Sequence, residues 1–345
     1  MLFNLSLAYI AIESTINSPL ISLRSSSKIG LSIFQSSFHR HFNSVCTSYS
    51  KNNINIARSI FQNILNSAIK VTKEDLQILN RHFSESLQFS SGSLMITFCT
   101  FKNCKAPEEG GALHAVALNL ILTCSSFIHN TAPISGAAYI METFSAQWYG
   151  NLFLNNEADY NGGFTLDANE KLKNVVIECT NITNNNAKMW TGGFRIDQSG
   201  GQLKNCYICG NHARVTGGFF DFSWTPSHRE LLHCLFINNS ATMRGGAVCA
   251  FHLMHSSRFY KTVFIHNKCE NKPNSILINS VDSKIVLEDS YFDGIENDEI
   301  GTRFGYSTFE ISGTTEFNLN QASMKKYADN LIQSFEKEEK EKLCK

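Results

Sequence analysis

The sequence predicts an all-β fold built from stacked short coils, and three observations carry this prediction. One short phrase recurs along the chain, with its anchor positions 25 to 29 residues apart, and a fixed period of this length is typical of stacked repeats. Around the anchors apolar residues alternate, as in Val175–Ile177, which is the period of a strand. Gly pairs and Asn-rich corners interrupt the alternation and supply turns. Coils of about 27 residues with short strands and tight corners indicate a parallel β-helix.

Each repeat begins at an aromatic or aliphatic anchor, followed by Asn three residues later, then Ala, then a Gly-Gly or Gly-Ala pair. The clearest copies begin at Phe127, Phe153, Ile182, Ile208 and Phe236. Weaker copies begin at Phe101, Phe264, Phe292 and Phe317, and two earlier anchors are Phe38 and Phe61. We therefore expect about eleven coils. A leucine-rich repeat would need a signature that is absent, and helical repeats are excluded because Gly and Asn recur too often.

Equivalent residues of successive coils lie above one another, about 4.8 Å apart. The anchors are expected to stack inside the coil, and the Asn residues to form a ladder at one corner, because side-chain amides both donate and accept hydrogen bonds. The predicted ladder consists of Asn130, Asn156, Asn185, Asn211, Asn239 and Asn267.

The segments outside the clear repeats receive separate predictions. Residues 1–37 are expected to form an N-terminal cap or a weak leader, and residues 38–322 the β-helix. Residues 73–84 are predicted as a short helical insertion, since a capping box precedes apolar residues at helical spacing. Residues 323–345 are predicted as an amphipathic helix with a charged tail, which would cap the open end of the last coil.

Composition narrows the classes of function. Thirty Lys and Arg residues balance thirty Asp and Glu residues, so no global field favours a nucleic-acid partner. No apolar run is long enough for a transmembrane segment. The apolar start of the chain is short and lacks a basic region, so a secretory signal is the less favoured interpretation. The eleven cysteines fall largely at inward positions and favour buried free thiols, although neighbouring coils would allow disulfides.

Two short motifs raise the possibility of a metal site. Cys206 and Cys209 have the CxxC spacing, but no second pair accompanies them. Cys249, His252 and His255 could supply three zinc ligands, yet a fourth is not evident. The sequence therefore predicts no metal and no cofactor.

The G-G-A-[ILV] and F-x-x-N motifs, present as Gly110–Leu113, Gly245–Val248 and the anchor copies above, resemble the repeats of the chlamydial polymorphic outer-membrane proteins. Similar repeats occur in putative surface protein families of parasitic protists. The resemblance covers about residues 95–325 and implies a right-handed, single-stranded parallel β-helix with a role in cell-surface adhesion. The coil also resembles the broader pectin-lyase-like superfamily, many of whose members bind or cleave acidic polysaccharides.

The corner between the Ala and the Gly pair carries apolar residues in successive coils, and we call this set the ridge: Tyr160, Met189, Trp190, Val215 and Met243. An exposed ridge of this kind would bind a glycan or the surface of a host or matrix protein. The alternative is that these side chains fold back and cover the corner of the coil.

A second candidate site is acidic. Asp167 and Asp197 are expected in the same column, with Arg195 beside them and Asp221 one residue out of register. Two carboxylates one coil apart approach the separation used by retaining glycosidases, and they could alternatively bind Ca²⁺. A working acid would need burial to raise its pKa, and the sequence shows none, so solvated Asp residues are the favoured interpretation.

The sequence therefore favours a non-enzymatic binding or adhesion module, secreted or at the cell surface by resemblance. A polysaccharide lyase or hydrolase using Asp167, Asp197 and Arg195 is the alternative, and a repeat with no ligand is the third hypothesis. Asn181 and Asn238 begin glycosylation sequons, as does Asn4, and these matter only if the chain is secreted. The oligomeric state cannot be read from the sequence.

Overall fold

The computed structural model describes residues 93–343 except 117–118, 144, 169–174, 223–227, 252–255, 281–282 and 304–306, together with the backbone of the strands between residues 3 and 90. Every strand pairing in the described part is parallel, and the strands form four stacked sheets of 13, 12, 12 and 6 strands. We number these sheets 1 to 4. Each turn of the chain adds one strand to each of sheets 1 to 3, so the molecule is a parallel β-helix.

The sheets have the following strands. Sheet 1 comprises Phe3–Ala8, Ile29–Phe34, Asn53–Ala57, Asp75–Leu79, Ser93–Thr97, Asn119–Thr123, Ser145–Tyr149, Val175–Glu178, Gly201–Lys204, Arg229–Leu232, Ser256–Tyr260, Lys284–Glu288 and Thr308–Ser312. Sheet 2 comprises Ala11–Ile12, Ser37–His39, Ile60–Gln62, His82–Phe83, Thr100–Lys102, Ser126–Ile128, Leu152–Leu154, Asn181–Thr183, Tyr207–Cys209, Leu235–Ile237, Val263–Ile265 and Tyr291–Phe292. Sheet 3 comprises Ile21–Leu23, Cys46–Ser48, Ile69–Thr72, Leu87–Ser90, Leu113–Val116, Ala138–Thr143, Phe164–Ala168, Phe194–Asp197, Phe219–Phe222, Val248–Phe251, Ile276–Asn279 and Ile300–Thr302. Sheet 4 comprises Thr131–Ala132, Glu157–Ala158, Asn186–Ala187, His212–Ala213, Ser240–Ala241 and Lys268–Cys269.

The anchors stack inside the coil along sheet 2. The ring centroids of Phe101 and Phe127 are 4.8 Å apart with the planes 7° from parallel, and Phe127 stacks on Phe153 in the same way. Sheet 3 contributes a second inward stack in which Phe194 lies 5.0 Å from Phe164 and 4.5 Å from Phe219. Since these rings are fully buried, hydrophobic burial along the axis is the main stabilising contribution.

The Asn residues form a continuous hydrogen-bonded ladder at the corner after sheet 2. From Asn156 onward, the Oδ1 atom of each ladder residue accepts from the backbone N–H and the side-chain Nδ2 of the Asn one coil earlier, as Asn185 does from Asn156 at 3.0 and 2.8 Å. Each Nδ2 also donates to a carbonyl at the preceding anchor, as Asn185 does to Phe153 at 3.0 Å. The ladder residues are all buried: Asn130, Asn156, Asn185, Asn211, Asn239 and Asn267. This bonding satisfies backbone groups that the corner would otherwise leave unpaired.

A column of glycines follows the ladder where the chain passes closest to the next coil. A Cβ atom on Gly192 would lie 2.4 Å from the backbone nitrogen of His212 and 2.6 Å from the carbonyl oxygen of Gly217. The column comprises Gly111, Gly136, Gly162, Gly192, Gly217 and Gly246. Only a residue without a side chain fits there, which is the physical reason for the recurrent glycine.

One ion pair lies inside the coil. Arg229 is 1% exposed and donates from Nη2 to Asp221 Oδ1 at 3.0 Å and to the Ser199 carbonyl oxygen at 2.6 Å. Asp221 pairs in register with Ile196, an inward residue, and is 3% exposed. The sequence placed Asp221 one residue out of register with Asp167 and Asp197. Because side chains alternate along a strand, this shift turns the Asp221 carboxylate toward the interior.

The predicted number of coils is wrong. From Thr100–Lys102 to Tyr291–Phe292, sheet 2 has eight strands, which correspond to about seven turns of the helix against the eleven predicted. Strands before residue 93 continue the stack, so that sheet 1 has 13 strands in all. Two anchor positions were missed. Ile12 pairs with Phe38, and Phe83 pairs with both Phe61 and Phe101. Neither is followed by the Asn and the Gly pair that mark the clearest repeats.

Two segment predictions change because the segments contain strands of the β-helix. The short helix predicted at residues 73–84 is wrong, because Asp75–Leu79 and His82–Phe83 are strands of sheets 1 and 2. Leu76 and Leu79 fit the helical period, whereas Leu76 and Ile78 fit the strand period, and parallel pairing on both sides shows that the segment is a strand. The stretch 1–37, predicted as a cap or leader, contains strands that pair with the following coils.

Two helices follow the last clear coils. Helix α1 is a single turn, Glu296–Glu299, and helix α2 spans Gln321–Leu343. The predicted amphipathic helix is thus present, but it packs on the flank of the coil and not across its open end. Met324 and Ala328 contact the outward residues Leu235 and Val263 of sheet 2, and Asn320 caps the first turn by accepting from the Ser323 N–H at 2.9 Å. Neither helix is both long and apolar enough to cross a bilayer, in the part of the chain that the structure describes.

Candidate functional site

The corner between sheets 4 and 3 holds three exposed apolar residues of the ridge. Tyr160, Met189 and Met243 are 43%, 37% and 38% exposed. Backbone hydrogen bonds hold consecutive coils in register here, for example from the Trp190 N–H to the Tyr160 oxygen at 2.9 Å. Exposed large apolar side chains are thus aligned along one corner of the coil, and exposed apolar patches are common at interaction sites.

The other two ridge residues turn inward. Val215 is only 6% exposed, and the half-buried Trp190 ring meets Phe220 edge-on at 5.8 Å. Both belong to a small apolar cluster on the outer face of sheet 3, separate from the axial core. The prediction of one uninterrupted exposed ridge is therefore wrong at these two positions, because Val215 and Trp190 pack in the cluster that buries the outward Phe220.

The floor beside the ridge was missed by sequence reasoning. Phe220, Phe222 and Phe251 point outward from sheet 3, and the Phe222 and Phe251 rings stack at 5.5 Å. The Arg195 guanidinium lies over Phe220 and Phe222 at 5.5 and 5.1 Å, close enough for cation–π attraction. The signal was present in Phe219-Phe-Asp-Phe222, where aromatic residues occupy both faces of one strand.

The acidic candidates do come together on this face. Asp167 and Asp197 are register partners, and the Arg195 Nε lies 2.7 and 2.9 Å from the two carboxylate oxygens of Asp197. Burial raises the pKa of Asp197 to about 6, against the opposing effect of Arg195. The expectation that burial is missing is therefore wrong for Asp197.

The Asp197 carboxylate nonetheless has the geometry of a structural contact. Asp197 is 7% exposed, and both of its carboxylate oxygens accept from Arg195, whose own position is set by three aromatic rings. A general acid must reach the leaving group of a substrate directly or through one water. The carboxylate here is clamped under the arginine, which favours a role in orienting Arg195.

The N-terminal part of this face carries a polar group of side chains. His114 and Glu109 form an ion pair of 3.7 Å when the imidazole is protonated, and the His114 ring meets Tyr139 at 5.8 Å. Burial, and then the carboxylates of Glu109 and Asp167, raise the pKa of Tyr139. The face thus changes along the axis from polar and acidic to aromatic and cationic.

The cysteine motifs give no metal site in the described residues, where no group of three or more potential ligands forms. Cys206 is buried and faces inward, whereas Cys209, three residues later in the alternating strand, is half-buried on the outer face. Cys249 is buried as a free thiol, and His252 and His255 lie outside the described residues. Among the described cysteines, five are free thiols: Cys206, Cys209, Cys234, Cys249 and Cys269.

The two sequons within the described region have different surroundings. Asn238 is exposed at a turn with φ of 52°. Asn181 is half-buried on the outer face of sheet 2, where its Oδ1 accepts from the Thr183 hydroxyl. Asn238 is therefore the more accessible of the two, and Asn4 belongs to a strand whose side chains are outside the described set.

Comparisons with protein-family models, with curated proteins and with solved structures found no match for this chain. What the described residues establish is a parallel β-helix with exposed Tyr160, Met189 and Met243 at one corner, beside an aromatic floor in which Phe220 is buried and Phe222 and Phe251 are half-buried.

Proposed function

We propose that this chain is a non-enzymatic binding or adhesion module, and that the three exposed ridge residues are its contact surface. The observation that supports this most is the alignment of Tyr160, Met189 and Met243 at one corner, each more than a third exposed. The arrangement suits a rigid scaffold that presents apolar groups at fixed spacing, so little conformational entropy is lost when a partner binds.

The chemistry of the corner favours a glycan or a host or matrix protein surface. An aromatic ring and two thioethers can cover the apolar face of a sugar or an apolar protein patch. Charges flank them: Lys188 pairs with Asp159 at 2.6 Å, and the exposed Arg214 directs Nη1 toward the Met189 sulfur at 3.9 Å. A partner with polar groups around an apolar centre would match this pattern.

The test is a binding screen of the purified chain against immobilised glycans and purified matrix proteins. For any ligand found, the triple variant Tyr160→Ala, Met189→Ala, Met243→Ala should lower the affinity at least about tenfold. Ile121→Ala is the matched control, because Ile121 is 36% exposed on sheet 1, away from the ridge. Equal effects of the triple variant and the control would refute the ridge as the contact surface.

We also propose that the chain acts at the cell surface or after secretion, which rests on the repeat resemblance. Protease treatment of intact cells, followed by mass spectrometry of the peptides around Asn181 and Asn238, tests this. Cleavage, or a glycan on either Asn, would support it. Full protection with both residues unmodified would contradict it.

A polysaccharide lyase or hydrolase is the second candidate, and the raised pKa of Asp197 beside Asp167 is the observation that favours it. A screen of acidic and neutral polysaccharides for chain cleavage tests the idea. Activity abolished by Asp197→Asn and by Asp167→Asn, with the folded content unchanged, would replace the binding proposal. Absence of cleavage, or activity that survives both substitutions, would exclude this pair as the catalytic acid and base.

A further inference from the structure

A cleft of about 490 Å³ lies at the C-terminal end of sheet 3. Three of its lining residues are cationic, Arg244, Lys272 and Arg303, and its apolar lining includes Met243, Leu277 and Ile300. The volume is in the range of small-molecule binding sites. The cleft thus combines positive charge with an apolar surface.

Arg244 is held in an unusual environment. Its guanidinium lies over the Phe251 ring at 5.1 Å, and its Nε and Nη1 atoms are buried with no hydrogen-bond acceptor among the described residues. Arg244 is also one of the residues that line the cleft. Burying part of a charged group without an acceptor is costly, so an anion in the cleft that approached this guanidinium would gain more here than at a solvated arginine.

The neighbours of Arg244 do not neutralise its charge. The Cys249 thiol lies beside it, and burial raises the pKa of that thiol to about 12, so the sulfur stays protonated. Lys272 forms an ion pair with Asp298. Arg303 is exposed and makes no ion pair within the described part of the chain. Arg244 and Arg303 therefore leave the cleft with an excess of positive charge.

We propose that this cleft binds a carboxylate carried on an apolar frame, with Arg244 and Arg303 meeting the carboxylate and Met243, Leu277 and Ile300 contacting the frame. The combination selects against two simpler ligands. A free inorganic anion would leave the apolar wall unused, and a neutral aromatic compound would leave the guanidinium unpaired. The proposal does not depend on the function of the ridge, although the two surfaces share Met243.

The experiment titrates the 345-residue chain with benzoate at low ionic strength, using calorimetry, and compares benzyl alcohol and inorganic phosphate. Benzoate is expected to bind saturably, and the other two probes at least about tenfold more weakly. Arg244→Gln should lower the benzoate affinity about tenfold or more, as the loss of a charge-assisted contact implies. Arg258→Gln is the matched control: Arg258 lies on sheet 1 and pairs with Glu288 at 2.7 Å, and we expect its benzoate affinity to stay within about twofold of the wild type.

Three results would overturn the proposal: no saturable benzoate binding, phosphate binding as tight as benzoate binding, or equal losses in Arg244→Gln and Arg258→Gln. If circular dichroism shows that Arg244→Gln does not fold, Arg303→Gln takes its place, because Arg303 is exposed and its replacement disturbs no packing. We expect it to weaken benzoate binding about threefold, and an unchanged affinity in that variant would also overturn the proposal.

Discussion

Replacing one rung of the Asn ladder measures what the ladder contributes to stability. Asn185 makes four side-chain hydrogen bonds: two accepted from Asn156, one donated to Asn211 Oδ1 at 3.0 Å and one donated to the Phe153 oxygen at 3.0 Å. At about 1 kcal/mol net for each bond, and with buried donors left unpaired in the variant, Asn185→Ala should lower the free energy of unfolding by about 3–5 kcal/mol.

The control is Asn186→Ala. Asn186 is the next residue, has the same chemistry and is exposed, so its replacement should change the free energy of unfolding by no more than about 0.5 kcal/mol. Urea denaturation followed by circular dichroism gives both values. Because stacked repeats need not unfold in one step, hydrogen exchange should be measured as well.

The amide of Asn156 reports the effect locally, since its N–H donates to Asn185 Oδ1. We expect Asn185→Ala to reduce the protection of this amide strongly and Asn186→Ala to leave it unchanged. Two variants with the same denaturation midpoint, and an Asn156 amide that stays protected in both, would refute the idea that the ladder stabilises the corner.

Three further predictions follow from buried groups. Gly192→Ala should destabilise the chain by more than about 3 kcal/mol in urea denaturation, because its Cβ would meet backbone atoms at 2.4 and 2.6 Å, whereas Ala137→Gly should cost about 1 kcal/mol; equal losses would contradict the close approach. In a double-mutant cycle, Asp221→Leu should cost about 3–5 kcal/mol by leaving the Arg229 guanidinium without its carboxylate, while Asp221→Leu combined with Arg229→Met should be near neutral; additive losses would contradict a direct pair. Burial raises the pKa of Glu299 from 4.5 to about 7, so the folded state binds this proton more tightly and stability should fall by about 3 kcal/mol as the pH rises from about 4.5 to 7. Glu299→Gln should remove that part of the pH dependence, and an unchanged slope would argue against a protonated, buried Glu299.

The fold could be predicted because each coil requires particular residue types at particular backbone positions, and these residues recur in the sequence. The Gly192 column has no room for a side chain, and the buried Asn185 column must pair with its neighbours, so both leave a periodic signal. Coils without these residues carry no such signal, which explains why Ile12 and Phe83 were missed as anchors.

The candidate site was less predictable, because exposure at the corner depends on the neighbouring coils. Met189 and Trp190 are adjacent in sequence, yet Met189 is exposed and Trp190 packs on Phe220, a residue of the following coil. The clamp of Arg195 on Asp197 likewise depends on Phe222 in the next coil. In both contacts one partner lies in the next coil, so the sequence of a single repeat does not determine which of its side chains remain accessible.

The division of the corner into exposed and covered residues is tested most directly by hydroxyl-radical footprinting with mass spectrometry. Met, Trp and Tyr all react readily with the radical, so their rates compare exposure on one scale. We predict fast oxidation of Met189 and Met243 and clearly slower oxidation of Trp190, in line with 37% and 38% exposure against a half-buried ring. Trp190 reacting as fast as the two methionines would contradict this division of the corner, and protection of both methionines would contradict the contact surface on which the proposed binding function rests.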